Sequence, residues 1–182
     1  MAQRHAQKET LQQRSDLIGE HRFGDAGQLL LACLFVVTWV VDTFILKYTT
    51  FLNHYVPNAI RIPIGIVLLV VSGYLAGTGL SIVFGEKREK PGVIRKSVFG
   101  VIRHPIYLSE ILLYLGLLMM SISLAAAFVW GIAILFLHYI SRHEERLLLA
   151  RFGEEYKRYM REVPMWIPRL WKRQRGVSES IE

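Results

Sequence analysis

The 182-residue chain has a single cysteine, Cys33, so no internal disulfide can form. One cysteine cannot build a thiolate metal cluster either. Cys33 also lies in an apolar run, where a thiol has no neighbouring positive charge to favour its ionised form. We therefore expect neither a disulfide framework nor a metal site.

The sequence also lacks the alternation of apolar and polar residues that is typical of barrel strands. Hydrophobic residues make up 52% of the chain and charged residues 20%, and the two kinds are separated into blocks. Apolar blocks cover residues 29–46, 62–84, 106–121 and 124–140. A helical span needs about 20 apolar residues, so the two short blocks must extend into flanking turns or form a tight hairpin. The predicted fold is an all-α integral membrane bundle of about four transmembrane helices.

Acidic residues are outnumbered by basic ones, 15 against 22, and the basic residues are unevenly distributed. Residues 1–28, 85–105 and 142–182 carry four, six and ten of them, whereas only Lys47 and Arg61 lie between the other blocks. Because basic residues are enriched in cytoplasmic loops, the pattern predicts a multi-pass protein with both termini in the cytoplasm. It also favours attraction to anionic lipid headgroups over binding of nucleic acid.

Three regions follow from this organisation. Residues 1–28 are a polar cytosolic or interfacial segment, and the apolar run behind them lacks a cleavage site, so it predicts a retained helix. Residues 29–170 form the membrane-embedded domain. It ends in a helical, amphipathic stretch at 141–163, predicted to be cytosolic, and in a segment with two prolines and two tryptophans. Residues 171–182 are predicted to be disordered.

The run RHPIY, residues 103–107, lies where a basic loop enters the third apolar block. Pro105 suits the first turn of a helix. A helix start offers free N–H groups and partial positive charge, and Arg103 adds a full charge, so a carboxylate or phosphate could dock here. The alternative is that Arg103 and His104 anchor the chain at the headgroups, with Tyr107 in an aromatic belt.

Two acidic residues lie inside apolar blocks, where an unpaired carboxylate is costly. Glu110 shares a helical face with Tyr107 and Tyr114, at spacings of three and four residues, so this face should point into the bundle. Asp42 lies close to the opposite interface, where water could solvate it. We favour Glu110 as the functional residue.

Small residues near the end of the second block allow two interpretations. Gly77 and Gly79 would let a flat ligand approach the backbone. Gly73, Gly77 and Ser81 recur every four residues, which suits helix packing equally well. After the fourth block, Glu144 and Glu145 stand together, and a solvated helical stretch is the simplest interpretation of that pair.

The order of these motifs resembles a known group of proteins. RHPIYLSEILLYLG, followed one span later by HEERLLLARFGEEYKRYMREVPMWIP, resembles the isoprenylcysteine carboxyl methyltransferase family and its phospholipid N-methyltransferase relatives, from about the second span to Pro168. The resemblance implies an S-adenosylmethionine pocket at the cytosolic ends of the helices. By position, the implied cofactor-binding residues are Gly77, Gly79, Arg103, His104, Pro105, Tyr107, Glu144 and Glu145.

One position departs from the prenylcysteine enzymes. They are expected to hold the substrate carboxylate with an arginine that is replaced here by Ile140, while Arg142 lies two residues out of register. This departure argues against prenylcysteine as the acceptor. The catalytic candidates are Glu110, Tyr107 and Arg142.

The predicted function is S-adenosylmethionine-dependent methyl transfer to a lipophilic small molecule or lipid, through a carboxylate or an amine, at the cytosolic membrane face. One alternative is an NADPH-dependent membrane reductase of the sterol reductase type, whose carboxy-terminal pattern is similar but whose members carry additional spans. The other is a non-enzymatic membrane scaffold that retains the fold. The sequence leaves the oligomeric state open.

Overall fold

A computed structural model describes residues 22–85 and 92–168, and all regular structure within these ranges is helical. The four α-helices are α1 (Arg22–Val40), α2 (Asn58–Gly85), α3 (Pro105–Met120) and α4 (Leu124–Glu162). A π-helical turn, Val41–Leu46, extends α1, and short 3-10 turns occupy Phe51–His54 and Ser97–Gly100. The all-α prediction is confirmed. The predicted disordered tail at 171–182 and residues 1–21 of the amino-terminal segment lie outside the described residues.

Among the described residues, three helical stretches are long and apolar enough to cross a membrane: Ala26–Leu46, Asn58–Gly85 and Leu124–Glu162. Helix α3 is also apolar but has 16 residues, about 24 Å, which is less than the roughly 30 Å of a hydrocarbon core. Large apolar side chains face outward on the long helices, such as Leu30, Val70 and Phe128, which are 69%, 67% and 72% exposed. Such a surface is suited to lipid contact.

Helices α2 and α3 pack together most closely. A Cβ added to Gly65 would lie 2.9 Å from the carbonyl oxygen of Gly116, and one added to Gly116 would lie 2.9 Å from Leu69. Ser72 Oγ donates a hydrogen bond of 2.7 Å to the carbonyl oxygen of Ser109. Small residues thus bring the two backbones together, as in many membrane helix pairs.

Helix α1 packs against α3 and α4 through aromatic rings. Phe35 is fully buried, and its ring stacks on that of Tyr114 with centroids 4.4 Å apart and an interplanar angle of 20°. Behind the pair, Ala126 and Ala133 of α4 are also fully buried. Small residues on α4 therefore let the three helices close around the stacked rings.

Helix α4 has 39 residues and bends at Gly153, whose φ of 53° is accessible to glycine without a steric penalty. Up to this kink, residues 124–152 form a helix about 44 Å long, which already exceeds the roughly 30 Å of a hydrocarbon core. The first half of the helix predicted for residues 141–163 therefore continues the fourth apolar helix, and the kink at Gly153 separates it from the second half. Beyond the bend, Tyr156, Tyr159 and Val163 form a separate buried cluster.

Successive helices run in opposite directions, which defines two ends of the bundle. At one end, called the site end, the start of α3 meets the second half of α4. At the other, called the far end, the loop after α1 meets the turn between α3 and α4.

Candidate functional site

The start of α3 is joined to the last described segment of the chain. Pro105 is the first residue of α3 and His104 is its N-cap. The backbone N–H of Arg103 donates to the carbonyl of Pro164 at 2.9 Å, and that of His104 donates to the carbonyl of Met165 at 3.2 Å. Two amides near the helix start are therefore already bonded within the protein.

The Arg103 side chain is also engaged inside the protein. Its Nη1 donates to the carbonyls of Met160 and Val163 at 2.7 and 2.8 Å, and its Nη2 lies 2.7 Å from Glu145 Oε1. The side chain is 9% exposed, so it is not spread on the surface as a headgroup anchor would be. Arg103 ties α3 to both halves of α4.

Two carboxylates from α4 meet the first turn of α3. The Tyr107 hydroxyl donates to Glu144 Oε1. His104 lies between the two carboxylates, with Nδ1 3.6 Å from Glu144 Oε2 and Nε2 3.4 Å from Glu145 Oε1. We call this group the acidic cluster; its members are Arg103, His104, Tyr107, Glu144 and Glu145.

Several buried atoms of the acidic cluster have no hydrogen-bond partner in the described part of the chain. They are both carboxylate oxygens of Glu145, Nε2 of His104 and Nε of Arg103. Arg103 Nη2 and Glu145 Oε1 nevertheless form a buried ion pair at 2.7 Å. A buried polar atom without a hydrogen-bond partner costs about 1–3 kcal/mol, and a polar ligand that supplied partners here would offset that cost.

Glu145 stays charged despite its burial. It lies beyond the apolar residues 124–140, outside the part of α4 that a hydrocarbon core would cover. Burial favours its neutral form, but contact with His104 and the positive charge of Arg103 outweigh burial and hold its pKa below the ordinary value. Glu144 places a second carboxylate beside it, on the other side of the His104 ring.

The rings of His104 and Tyr107 form a flat wall beside the carboxylates. Their centroids are 5.6 Å apart and their planes differ by 7°. His104 is buried, whereas Tyr107 is partly exposed. A planar aromatic ligand could extend this stack.

Below the acidic cluster, the predicted inward face of α3 continues toward the middle of the bundle. Tyr114 donates a hydrogen bond of 2.5 Å to Glu110 Oε1, and Glu110 is partly exposed. Tyr107, Glu110 and Tyr114 thus supply alternating hydroxyl and carboxylate groups along α3. The structure brings these three predicted residues onto one continuous polar face.

The two predicted cofactor glycines occupy different surroundings. They are about 200° apart around α2, because each helical residue turns by about 100°. A Cβ on Gly79 would lie 2.8 Å from Ile106 Cγ1, whereas one on Gly77 would meet nothing within 4 Å. Gly79 therefore permits close packing of α2 on α3, while Gly77 faces open space.

Arg142 lies at the edge of the site. Its side chain is 61% exposed, and its Nη1 is 3.8 Å from Glu145 Oε2. Ile140 is buried and apolar. No buried arginine occupies the position from which the prenylcysteine enzymes are expected to hold a carboxylate.

Asp42 is not part of the site. It lies at the far end, where it accepts hydrogen bonds from the Thr49 and Ser123 hydroxyls and from the Thr49 amide. Among the described residues, no group of three or more metal-ligating side chains is arranged to hold a metal ion.

Sequence reasoning missed two contributors. The carbonyls of Pro164 and Met165 bond to the start of α3, and the only signal for this contact is the proline-rich segment that follows α4. Phe35 covers Tyr114, but its sequence context does not distinguish it from the other apolar residues of α1.

These features define a helical membrane protein with a buried acidic cluster at one end of its bundle. The model of the phospholipid methyltransferase family matches residues 60–155, more than half of the chain. The match includes α3, most of α2 and the acidic cluster. The chain belongs to the phospholipid methyltransferase family, which confirms the resemblance seen in its motifs.

A curated relative extends the match. The chain is 29% identical over 149 residues to a methanethiol S-methyltransferase of Crocosphaera subtropica (strain ATCC 51142 / BH68), an alignment that covers 81% of this chain and 49% of the relative. The chain thus spans about half the length of that protein. No solved structure matches the chain significantly. The family and the relative together support a membrane methyltransferase.

Proposed function

We propose that this protein transfers a methyl group from S-adenosylmethionine to a lipophilic acceptor, at a site formed by the acidic cluster and the inward face of α3. The observation that carries the proposal is the set of buried, unpartnered polar atoms on Arg103, His104 and Glu145. Their desolvation is offset once a polar ligand supplies partners.

The residues present suit this cofactor, which is a sulfonium cation carrying an ammonium, a carboxylate, ribose hydroxyls and adenine. Glu144 and Glu145 would accept hydrogen bonds from the ammonium or the hydroxyls. Nε of Arg103 and Nε2 of His104 are buried nitrogens that would face the carboxylate. The stacked rings of His104 and Tyr107 would extend onto adenine.

When bound, S-adenosylmethionine supplies an electrophilic methyl group that is transferred by direct displacement. The chain must therefore align donor and acceptor and exclude water. Glu110 lies one helical turn deeper than Tyr107 and is a proton acceptor for a nucleophile that loses a proton on methylation. Tyr114 holds the Glu110 carboxylate in place through its hydroxyl.

The carboxylates of the proposed site favour an acceptor whose nucleophilic group is uncharged. Three carboxylates, Glu110, Glu144 and Glu145, line the proposed path, and the guanidinium of Arg103 already contacts one of them. A carboxylate acceptor would add a further negative charge beside these carboxylates, so an amine or a thiol is favoured. We include a thiol because the curated relative is named a methanethiol S-methyltransferase.

The same carboxylates favour binding of S-adenosylmethionine over binding of NADPH, the cofactor of the alternative reductase. NADPH carries several phosphate charges and requires a cationic pocket, whereas the acidic cluster presents the two carboxylates of Glu144 and Glu145. A scaffold would gain nothing from retaining buried, unpartnered polar atoms. We also propose that the site end faces the cytosol, because the basic segments flank it.

Isothermal calorimetry on the purified protein in lipid nanodiscs tests the cofactor assignment. We expect S-adenosylhomocysteine to bind and NADPH not to bind. Glu144→Gln should weaken binding, while Glu154→Gln should not, because Glu154 is exposed and pairs with Lys157 in the next turn, outside the acidic cluster. Binding of NADPH in preference to S-adenosylhomocysteine would favour the reductase, and binding of neither would favour the scaffold.

A further inference from the structure

We propose that the stacked rings of Phe35 and Tyr114 form the floor of the acceptor pocket and restrict the acceptor to a small molecule. This inference rests on the proposed methyl transfer, and it assigns a specificity role to two residues that lie below the reacting groups. A long-chain lipid threaded into the bundle is excluded by the same floor.

Burial changes along one face of α3. Tyr107 and Glu110 are partly exposed, whereas Tyr114, one turn deeper, is 2% exposed. The face is therefore open at its first two polar positions and sealed at the third. The seal is made by α1, since the Phe35 ring stacks on Tyr114 at 4.4 Å.

The side chains behind the two rings are closely packed. Ala126 and Ala133 are fully buried, and Leu118 is 4% exposed, all in the same cluster as Phe35 and Tyr114. Close-packed cores leave few voids larger than a water molecule. An alkyl chain therefore cannot continue past the rings toward the far end.

The distance along α3 limits the length of the acceptor. Tyr114 lies four residues beyond Glu110, a rise of about 6 Å, and seven beyond Tyr107, a rise of about 10 Å. In the proposed arrangement the reactive atom of the acceptor lies near Glu110, below the cofactor. The rise of about 6 Å from Glu110 to the floor then corresponds to a short alkyl group.

A homologous series of acceptors tests the floor. The purified protein in nanodiscs is incubated with methyl-labelled S-adenosylmethionine and with primary alkanethiols and primary alkylamines from ethyl to dodecyl. We expect kcat/KM to rise with the first added carbons and then to fall about tenfold or more once the chain meets the floor. A rate that keeps rising to dodecyl would overturn the proposal.

Variants at the floor should move this cutoff. Phe35→Leu, and Phe35→Ala if it folds, should shift the cutoff to longer chains without weakening binding of S-adenosylhomocysteine. The matched control is Phe128→Ala, which removes the same ring from a lipid-facing position that is 72% exposed. Its cutoff should equal that of the unmodified protein. An unchanged cutoff in both Phe35 variants would contradict the assignment.

The outcomes distinguish this inference from the function on which it rests. If the unmodified protein did not bind S-adenosylhomocysteine, the proposed function itself would be contradicted. Binding of S-adenosylhomocysteine without labelling of either series would overturn the small acceptor alone. Labelling of a long-chain lipid in preference to short acceptors would do the same.

Discussion

The two ends of the helix bundle both bury charged side chains, but they treat them differently. At the far end, Arg61 donates to Val56, Asn53, Met120 and Asn58, and both carboxylate oxygens of Asp42 accept hydrogen bonds. At the site end, buried atoms of Arg103, His104 and Glu145 lack such partners.

The hydrogen-bonded groups at the far end and the atoms without hydrogen-bond partners at the site end are expected to have different roles. Hydrogen bonds to charged groups stabilise a fold by about 1.5–3 kcal/mol each, so the far end holds the loop after α1 against the turn before α4. At the site end, we expect the atoms without hydrogen-bond partners to lower the stability of the ligand-free protein and to favour binding of a polar ligand. Among the described residues near the far end, one buried side-chain atom lacks a hydrogen-bond partner, the uncharged Nε1 of Trp39.

Removing the hydrogen bonds of Arg61 at the far end should have the largest effect, a loss of stability. Arg61→Ala removes four hydrogen bonds made by a buried guanidinium and should lower the free energy of unfolding by about 3 kcal/mol, because each hydrogen bond to a charged group contributes about 1.5–3 kcal/mol. Denaturant unfolding in bicelles would measure the change. The protein that remains folded should bind S-adenosylhomocysteine with unchanged affinity.

Arg158→Ala is the control for that experiment, since Arg158 is exposed on the outer part of α4. Its free energy of unfolding should change by less than about 0.5 kcal/mol. Equal stability of the two variants would contradict a stabilising role for the far end.

The second effect concerns binding at the site end. Glu144→Gln keeps an oxygen that accepts from Tyr107 but removes the negative charge. Affinity for S-adenosylhomocysteine should fall about tenfold or more, while the free energy of unfolding changes by less than about 1 kcal/mol. A loss of stability comparable to that of Arg61→Ala, with affinity intact, would reverse the comparison between the two ends.

The smallest expected effect is a difference in stability between alanine substitutions at the two glycines of α2, which distinguishes a packing role from a binding role. Gly79→Ala should lower the free energy of unfolding by about 1–2 kcal/mol, because the new methyl group would overlap Ile106. Gly77→Ala meets open space and should be neutral or slightly stabilising, since alanine favours helices. Thermal unfolding of the two variants checks this pair. Reduced S-adenosylhomocysteine affinity in Gly77→Ala would place that face of α2 at the cofactor.

Much of the fold could be predicted because apolar blocks and basic loops directly reflect the demands of a bilayer. The polar face of α3 could also be predicted, since Glu110 and the two tyrosines recur at helical spacing. The continuity of α4 could not, because the change from apolar to charged residues at Arg142 looks like a boundary, although nothing there breaks a helix.

Contacts between distant segments were the least predictable part. The residues that bond to Arg103 lie some sixty positions along the chain, and they offer backbone carbonyls that carry no signal in side-chain identity. The partners of Arg61 are similarly hidden, since Asn53 and Asn58 are ordinary loop residues by sequence. Motif order indicates which residues gather at the site, but not which of them are already paired.

The most direct test of the account is a cryo-EM map of the protein in nanodiscs with S-adenosylhomocysteine. The account predicts density for the ligand against Tyr107 and Glu144, within hydrogen-bond distance of the atoms on Glu145 and His104 that now lack partners. Ligand density away from this cluster, or an empty cluster in a protein that methylates its acceptor, would contradict it.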